Sequence, residues 1–122
     1  AMFAAAVAAH TMGRVAAGGM AGTMRLATHA GLGADYGRGT TPARAALGCA
    51  GGLAITALAT GWWAGPLALS ALVAALATGT LARRKIGGIS GDVMGAAEQV
   101  AECLCFVVIS ALALHHHLWW QP

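Results

Sequence analysis

The sequence predicts an all-α membrane protein, a polytopic bundle of about four transmembrane helices. Three observations lead to this fold class. First, 58% of the 122 residues are hydrophobic, only 9% are charged, and the mean hydropathy is +0.70. A soluble domain carries about 25% charged residues to cover its surface, so this chain would expose large apolar patches in water. Second, apolar stretches of membrane-crossing length recur along the chain. Third, the basic residues gather between those stretches.

Four stretches have the length of a membrane helix. A hydrocarbon core of about 30 Å needs roughly 17–25 helical residues. The first stretch is rich in Ala and Gly and is interrupted by His10 and Arg14, so we expect it to be buried among the other helices. The other three are more uniformly apolar. The predicted spans are residues 2–24, 45–63, 66–82 and 93–114.

The predicted loops indicate an orientation. Loops 25–44 and 83–91 fall on the same side of an alternating bundle, and the positive-inside rule makes that side cytoplasmic. The opposite side carries the tryptophan pairs at 62–63 and 119–120, which fit an interfacial aromatic belt. The basic residues of the two loops are Arg25, Arg38, Arg44, Arg83, Arg84 and Lys85.

Other features restrict the partners and the completeness of the chain. The basic residues are few and are not interleaved with aromatics, so no nucleic-acid partner is expected. Cys49, Cys103 and Cys105 lie in apolar stretches and are interpreted as small buried hydrophobes. The consecutive residues 115–117, all His, point in different directions on a helix, which favours an interfacial tail over a metal site.

The chain starts at Ala1 without an initiator Met or a signal peptide, so we expect a piece of a longer protein.

The clearest candidate site is the glycine-rich run GGISGDVMG at residues 87–95. Its glycines allow a tight turn whose N–H groups face an anion, and the next helix directs its positive N-terminal end to the same point. The ordinary structural interpretation is a turn followed by a helix N-cap, with Ser90 or Asp92 as the cap.

Two carboxylates add a second signal. Glu98 and Glu102 are four residues apart and share one helix face inside an apolar span, where ionisable groups are costly. Each therefore needs a partner: Arg14, a neighbouring loop arginine or a divalent cation. Arg14 fits a structural ion pair and a phosphate ligand equally well.

These residues carry a resemblance to a known family. The run RRKIGGISGDVMGA at residues 83–96, followed by Glu102, resembles the signature near the C-terminus of cobalamin synthases, the adenosylcobinamide-GDP ribazoletransferases. The helix with Arg14 resembles the family's Arg-bearing membrane helix, and GLGA at residues 31–34 resembles its Gly-Leu-Gly loop. Together these matches span most of the chain and leave out the His and Trp tail.

The resemblance implies a Mg²⁺-dependent transferase of the bacterial inner membrane, with its site facing the cytoplasm. Such an enzyme joins α-ribazole, or its 5′-phosphate, to adenosylcobinamide-GDP and releases GMP. The resemblance makes Asp92 and Glu102 catalytic and gives Asp92 a part in holding Mg²⁺. The residues that it assigns to the substrate phosphates are Arg14, Arg83, Arg84, Lys85, Gly87, Gly88, Ser90 and Gly91.

One departure from the family bears on activity. Its Asp-rich motif, of the form D-G-x-x-D-T-x-D-G, belongs to the N-terminal half and is not found in this sequence. We therefore expect the main metal ligands in an N-terminal half that acts with this chain, and we expect the isolated chain to be inactive. An oligomer is compatible with this arrangement.

Two alternatives come from other classes of protein. A transporter or channel subunit would use Arg14, Glu98 and Glu102 as an ion relay through the bundle. A structural membrane module would use the same charges only to lock the register of its helices.

Overall fold

A computed structural model describes residues 2–24 and 39–118, and these residues fold mainly into helices. The predicted all-α bundle is confirmed: four α-helices follow one another, a short 3-10 turn separates the middle two, and neither described range contains a β-strand. The elements are α1 Met2–Thr23, α2 Pro42–Thr60, the 3-10 turn Gly61–Trp63, α3 Ala64–Ile86 and α4 Gly91–Ala113.

The observed helices extend beyond the predicted spans at their loop ends. Helix α2 begins at Pro42 rather than at residue 45, because Pro42 suits the first turn and the Thr41 hydroxyl accepts the N–H of Arg44 at 3.2 Å. Helix α3 continues through the basic residues 83–85, which the sequence placed in a loop. Cations in a last turn are favoured by the helix dipole, so the loop between α3 and α4 shrinks to residues 87–90.

Helix α1 is the centre of the bundle. It contacts each of the other three helices, whereas α2 and α3 make few contacts with each other. Its residues Ala8, Ala9 and Met12 have no exposed surface, so one face of this helix is buried as predicted. The side chains of His10 and Arg14, which prompted the prediction, lie instead on an exposed face. The chain alternates in direction along the bundle. Helices α3 and α4, for example, run antiparallel, with Cys105 Sγ 3.8 Å from the carbonyl oxygen of Leu67.

Glycines allow α1 and α2 to pack closely. A methyl group added to Gly22 would collide with Ala45, and one added to Gly52 would collide with Val15. Small residues of this kind let backbones approach in membrane bundles, where no hydrophobic drive acts between helices. The same contacts show that α1 and α2 are antiparallel.

The two ends of the bundle have different compositions. At one end the C-terminal part of α1 lies beside the C-terminal half of α3 and beside the first turn of α2, because Gly79 lies near Met24 and Gly22 lies near Ala45. This end carries Arg44 and the basic last turn of α3. The two predicted loops therefore leave the bundle at the same end. Residues 25–38, which include Arg25, Arg38 and the GLGA run, lie outside the described residues.

Aromatic side chains mark the opposite end. The ring of Trp62 meets the ring of His116 edge to face, with 5.1 Å between centroids. Trp62 is 57% exposed, but Trp63 is only 3% exposed. Of this predicted interfacial pair, therefore, Trp62 alone faces outward, while Trp63 belongs to the core. The second pair, Trp119 and Trp120, lies outside the described residues.

Much of the helical surface is apolar and points outward. Within residues 2–24 and 39–118, two stretches are long and apolar enough to cross a membrane: Pro42–Ile86, which runs from α2 through α3, and Gly91–Ala113, which is α4. Their most apolar windows are only 28% and 17% buried inside the bundle. Outward-facing apolar surface is what lipid, rather than water, tolerates. Both stretches fit a membrane protein.

Candidate functional site

The glycine-rich run lies where α3 ends and α4 begins. Gly87 has a φ of 84°, in the left-handed region that glycine adopts without strain, and its N–H donates to the carbonyl of Arg83 at 3.1 Å. The Ser90 hydroxyl then accepts the N–H of Val93 at 3.3 Å and starts α4. Of the two caps considered from the sequence, Ser90 is the N-cap, and Asp92 is free for another role.

Asp92 lies exposed in the first turn of α4. Its negative charge is stabilised there by the positive end of the helix dipole. Neither of the ion pairs found in the described part of the chain involves it. The neighbouring surface of α4 at Gly95 is open, because a methyl group added there would meet nothing within 4 Å. The exposed Asp92 is therefore accessible to a cation.

A cleft of about 390 Å³ opens beside the glycine turn. Arg83 gives the cleft its cationic lining, and Thr23 at the end of α1 and Thr80 on α3 also line it. The Thr23 hydroxyl donates to the carbonyl oxygen of Gly19 at 2.6 Å. Gly88 forms the rim of the cleft from the turn, and Ile89, which is 1% exposed, anchors the turn in the core. Guanidinium, hydroxyl and free backbone N–H groups are the donors that bind phosphate oxygens in proteins.

Of the predicted phosphate-binding residues near the turn, Arg83 and Gly88 line this cleft, whereas Arg84, Lys85, Gly87, Ser90 and Gly91 do not. Arg84 and Lys85 are exposed in the last turn of α3, but they do not line the cleft. Successive helix residues point in directions about 100° apart, so only Arg83 of the three faces the cleft. Arg84 and Lys85 raise the positive potential nearby. Thr23 and Thr80 were not predicted, since their meeting depends on how α1 and α3 are rotated against each other.

Arg14 and Glu102 belong to a second cluster, which lies further from the glycine turn along α4. Arg14 Nε lies 3.0 Å from Glu98 Oε1, and His10 Nδ1 lies 3.1 Å from Glu102 Oε1. The Glu98 and Glu102 side chains are 19% and 13% exposed, whereas those of Arg14 and His10 are 79% and 63% exposed. With a rise of 1.5 Å per residue, Glu102 lies about 15 Å further along α4 than Asp92. The structure therefore separates Arg14 and Glu102 from the glycine turn.

Gly13 makes room for both carboxylates of this cluster. A methyl group at Gly13 would lie 2.8 Å from Glu102 Cγ and 3.1 Å from Glu98 Cγ. The two glutamates therefore rest on the bare backbone of α1 and reach the basic side chains on either side of it. We call these five residues, His10, Gly13, Arg14, Glu98 and Glu102, the charge clamp. Of the three partners considered for the glutamates, the structure selects Arg14 and adds His10.

The described residues supply few metal ligands. No group of three His, Cys, Asp or Glu side chains converges within the two described ranges. At the glycine turn the available carboxylate is that of Asp92. In the tail, the ring of His116 packs against Trp62.

Comparison with known families identifies the chain. The family model described as cobalamin-5-phosphate synthase matches residues 1–110. The chain belongs to the cobalamin-5-phosphate synthase family. The resemblance noted from the sequence is thereby confirmed, and membership places the chain in cobalamin biosynthesis. The matched residues of this cobalamin-5-phosphate synthase homologue include the glycine turn and the charge clamp, and they end before the His and Trp tail. Searches among curated proteins and among solved structures found no match.

Proposed function

We propose that the cleft beside the glycine turn binds the diphosphate of adenosylcobinamide-GDP, and that the chain, together with the family's Asp-rich half, transfers the corrinoid phosphate to α-ribazole or its 5′-phosphate. The observation that carries this proposal is that Arg83, Gly88 of the turn and the threonines Thr23 and Thr80 line one cleft. The N-terminal end of α4 begins beside this cleft. Family membership supports the biosynthetic class of the reaction and disfavours the transporter and purely structural alternatives.

The reaction exchanges the phosphoanhydride bond of the diphosphate for a phosphoester bond to the ribose. A ribose hydroxyl oxygen of α-ribazole attacks the phosphorus on the corrinoid side of the diphosphate, and a new P–O bond forms. The P–O bond to GMP breaks, GMP leaves with the bonding electron pair, and the hydroxyl proton passes to a base. Positioning and charge stabilisation supply most of the catalysis in phosphoryl transfer.

Each group at the turn has a role in this reaction. Arg83 holds the oxygens of the diphosphate by charge-assisted hydrogen bonds, while the turn at Gly87 and Gly88 brings the backbone close to them. Gly91, which follows the Ser90 cap, begins α4 and directs its positive end at the departing GMP. Arg84 and Lys85 attract the anionic substrate from outside the cleft.

Asp92 is the proposed acid–base or metal-binding group. Mg²⁺ is usually held by one or two carboxylates together with substrate phosphates and water. Asp92 suits one such position, because its carboxylate is exposed and makes none of the described ion pairs. A bound Mg²⁺ would neutralise charge on the phosphate oxygens. The remaining carboxylates would come from the family's Asp-rich half, so we propose that this chain alone is inactive.

Glu102 and Arg14 receive a different role from the one that the resemblance implied. Glu102 lies about 15 Å along α4 from Asp92 and pairs with His10. Arg14 pairs with Glu98. We propose that these residues hold α1 against α4 within the membrane and so position the start of α4, on the cytoplasmic side.

The test compares neighbouring arginines in the protein that carries this chain together with the Asp-rich half. GMP release is measured in proteoliposomes with adenosylcobinamide-GDP, α-ribazole 5′-phosphate and Mg²⁺. Arg83→Gln should lower kcat/KM about 10- to 100-fold, since a charge-assisted contact contributes about 1.5–3 kcal/mol. Arg84→Gln should lower it less than about fivefold, as expected for an exposed charge. Asp92→Asn should abolish turnover.

Three results would each contradict part of the proposal. Equal losses for Arg83→Gln and Arg84→Gln would show that the cleft does not bind the substrate. Full activity of Asp92→Asn would show that Asp92 takes no part in the reaction. Corrinoid synthesis by the 122-residue chain alone would contradict the expected need for a second half.

A further inference from the structure

A second cleft continues from the proposed diphosphate site into the apolar part of the bundle. It has a volume of about 330 Å³ and lies between α1, α2 and α3. Its lining is almost entirely apolar, with Met20 from α1, Leu53 from α2, and Ala68 and Leu72 from α3. This cleft exists because α2 and α3 each pack on α1 but make few contacts with each other.

The two clefts form one groove with a polar end and an apolar end. Thr23, Met24 and Leu76 line both of them, so the clefts adjoin. The polar end carries Arg83. The groove follows α3 for about 22 Å, from Arg83 to Ala68. Its apolar part, from Leu76 to Ala68, accounts for about 12 Å of this length.

This pattern matches the chemistry of one kind of molecule. A phospholipid has an anionic phosphate at the water boundary and apolar chains below it. One leaflet of a bilayer core is about 15 Å deep, which is close to the length of the apolar part of the groove. The basic end of the bundle, with Arg83 lining the groove and Arg84 and Lys85 beside it, favours an anionic head group.

We propose that this groove binds one anionic phospholipid, with its phosphate at Arg83 and an acyl chain between α2 and α3. Because Arg83 and Gly88 also line the proposed diphosphate site, a bound lipid and a bound diphosphate exclude each other. The lipid proposal does not rest on the transferase reaction, since lipid binding is measured with no corrinoid present.

The structure offers matched pairs of variants for the test. Leu72 and Leu69 are both exposed leucines of α3, at 53% and 60%, but only Leu72 lines the groove. Arg83 and Arg84 are adjacent basic residues, and only Arg83 lines it. Leu72→Trp fills the apolar end and Arg83→Gln removes the positive charge. Leu69→Trp and Arg84→Gln are the controls.

The experiment uses native mass spectrometry to count the lipids retained, after purification in a neutral detergent, by the membrane-expressed protein that carries this chain together with the Asp-rich half. The probes are phosphatidylglycerol, diacylglycerol with the same chains, and glycerol 3-phosphate. One phosphatidylglycerol should bind, and diacylglycerol and glycerol 3-phosphate should bind at least about tenfold more weakly, since each lacks one half of the contact. Leu72→Trp and Arg83→Gln should weaken phosphatidylglycerol binding by a similar factor, while the controls should not.

Several outcomes would overturn the proposal. Binding of diacylglycerol as tight as that of phosphatidylglycerol would show that the head group is not recognised. Binding of glycerol 3-phosphate as tight as that of phosphatidylglycerol would show that the groove binds the anion and not the acyl chain. Equal effects of Leu72→Trp and Leu69→Trp, or a dimer without lipid whose formation is blocked by Leu72→Trp, would assign the groove to something other than lipid. Circular dichroism of each variant checks that the helices are intact.

Discussion

The packing of Gly13 under two glutamates gives the most specific stability prediction. Carbon atoms in contact lie about 3.5–4.0 Å apart, but a methyl group at Gly13 would lie 2.8 Å from Glu102 Cγ. Gly13→Ala therefore pushes the glutamate off α1 and disturbs its contact with His10. Overpacking of this kind costs about 1–3 kcal/mol, while alanine in a helix interior gains about 1 kcal/mol over glycine. The net loss of unfolding free energy should be about 0–2 kcal/mol.

A second glycine separates the cost of overpacking from the gain in helix propensity. Gly48 lies in α2, and a methyl group there would meet nothing within 4 Å. Gly48→Ala should therefore show only the gain in helix propensity of about 1 kcal/mol. The difference between the two variants, about 1–3 kcal/mol, measures the packing cost at Gly13.

Unfolding in mixed micelles of a mild detergent and dodecyl sulfate, followed by circular dichroism, measures both free energies. In a Glu102→Ala background Gly13→Ala should be less harmful, because the clashing Cγ is gone. If Gly13→Ala were as stable as Gly48→Ala, the two glutamates would not rest on the α1 backbone and the charge clamp would be wrong.

Three further predictions concern single side chains and use the same unfolding assay. Arg14→Ala leaves Glu98 without its partner and should lower stability by about 1–3 kcal/mol, whereas Arg84→Ala should change it by no more than about 0.5 kcal/mol; equal effects would argue against the ion pair. Ser90→Ala removes the N-cap of α4 and should cost about 0.5–2 kcal/mol, with no loss expected if the cap were unimportant. Gly87→Ala forces a left-handed conformation on alanine and should cost about 1–3 kcal/mol, and an unchanged stability would exclude the positive φ.

The helices could be predicted from sequence because their signal is local. Apolar length and the position of basic residues are properties of short windows, and the observed helices coincide with the predicted spans to within a turn. The differences at helix ends also have a local cause. Residues 83–85 suit both a cytoplasmic loop and a helix C-terminus, and only the left-handed Gly87 decides between them.

The composition of the site was less predictable because it depends on packing. Thr23 and Thr80 reach one cleft only through the rotation of α1 against α3. The contact of His10 with Glu102 depends on the register between α1 and α4, which lie at opposite ends of the chain. Trp62 and Trp63 are neighbouring residues of the same type, yet Trp62 is exposed and Trp63 is buried because of the 3-10 turn that joins α2 to α3.

The central claim is that the glycine turn lies at the cytoplasmic boundary of a membrane-spanning bundle. Single cysteines at Lys85→Cys, an exposed position just before the glycine turn, and at the exposed Trp62→Cys test it directly, in a chain whose Cys49, Cys103 and Cys105 are replaced by Ala. A membrane-impermeant maleimide applied to right-side-out and inverted vesicles should label Lys85→Cys only from the cytoplasmic side and Trp62→Cys only from the other. Labelling of both cysteines from the same side would contradict the account.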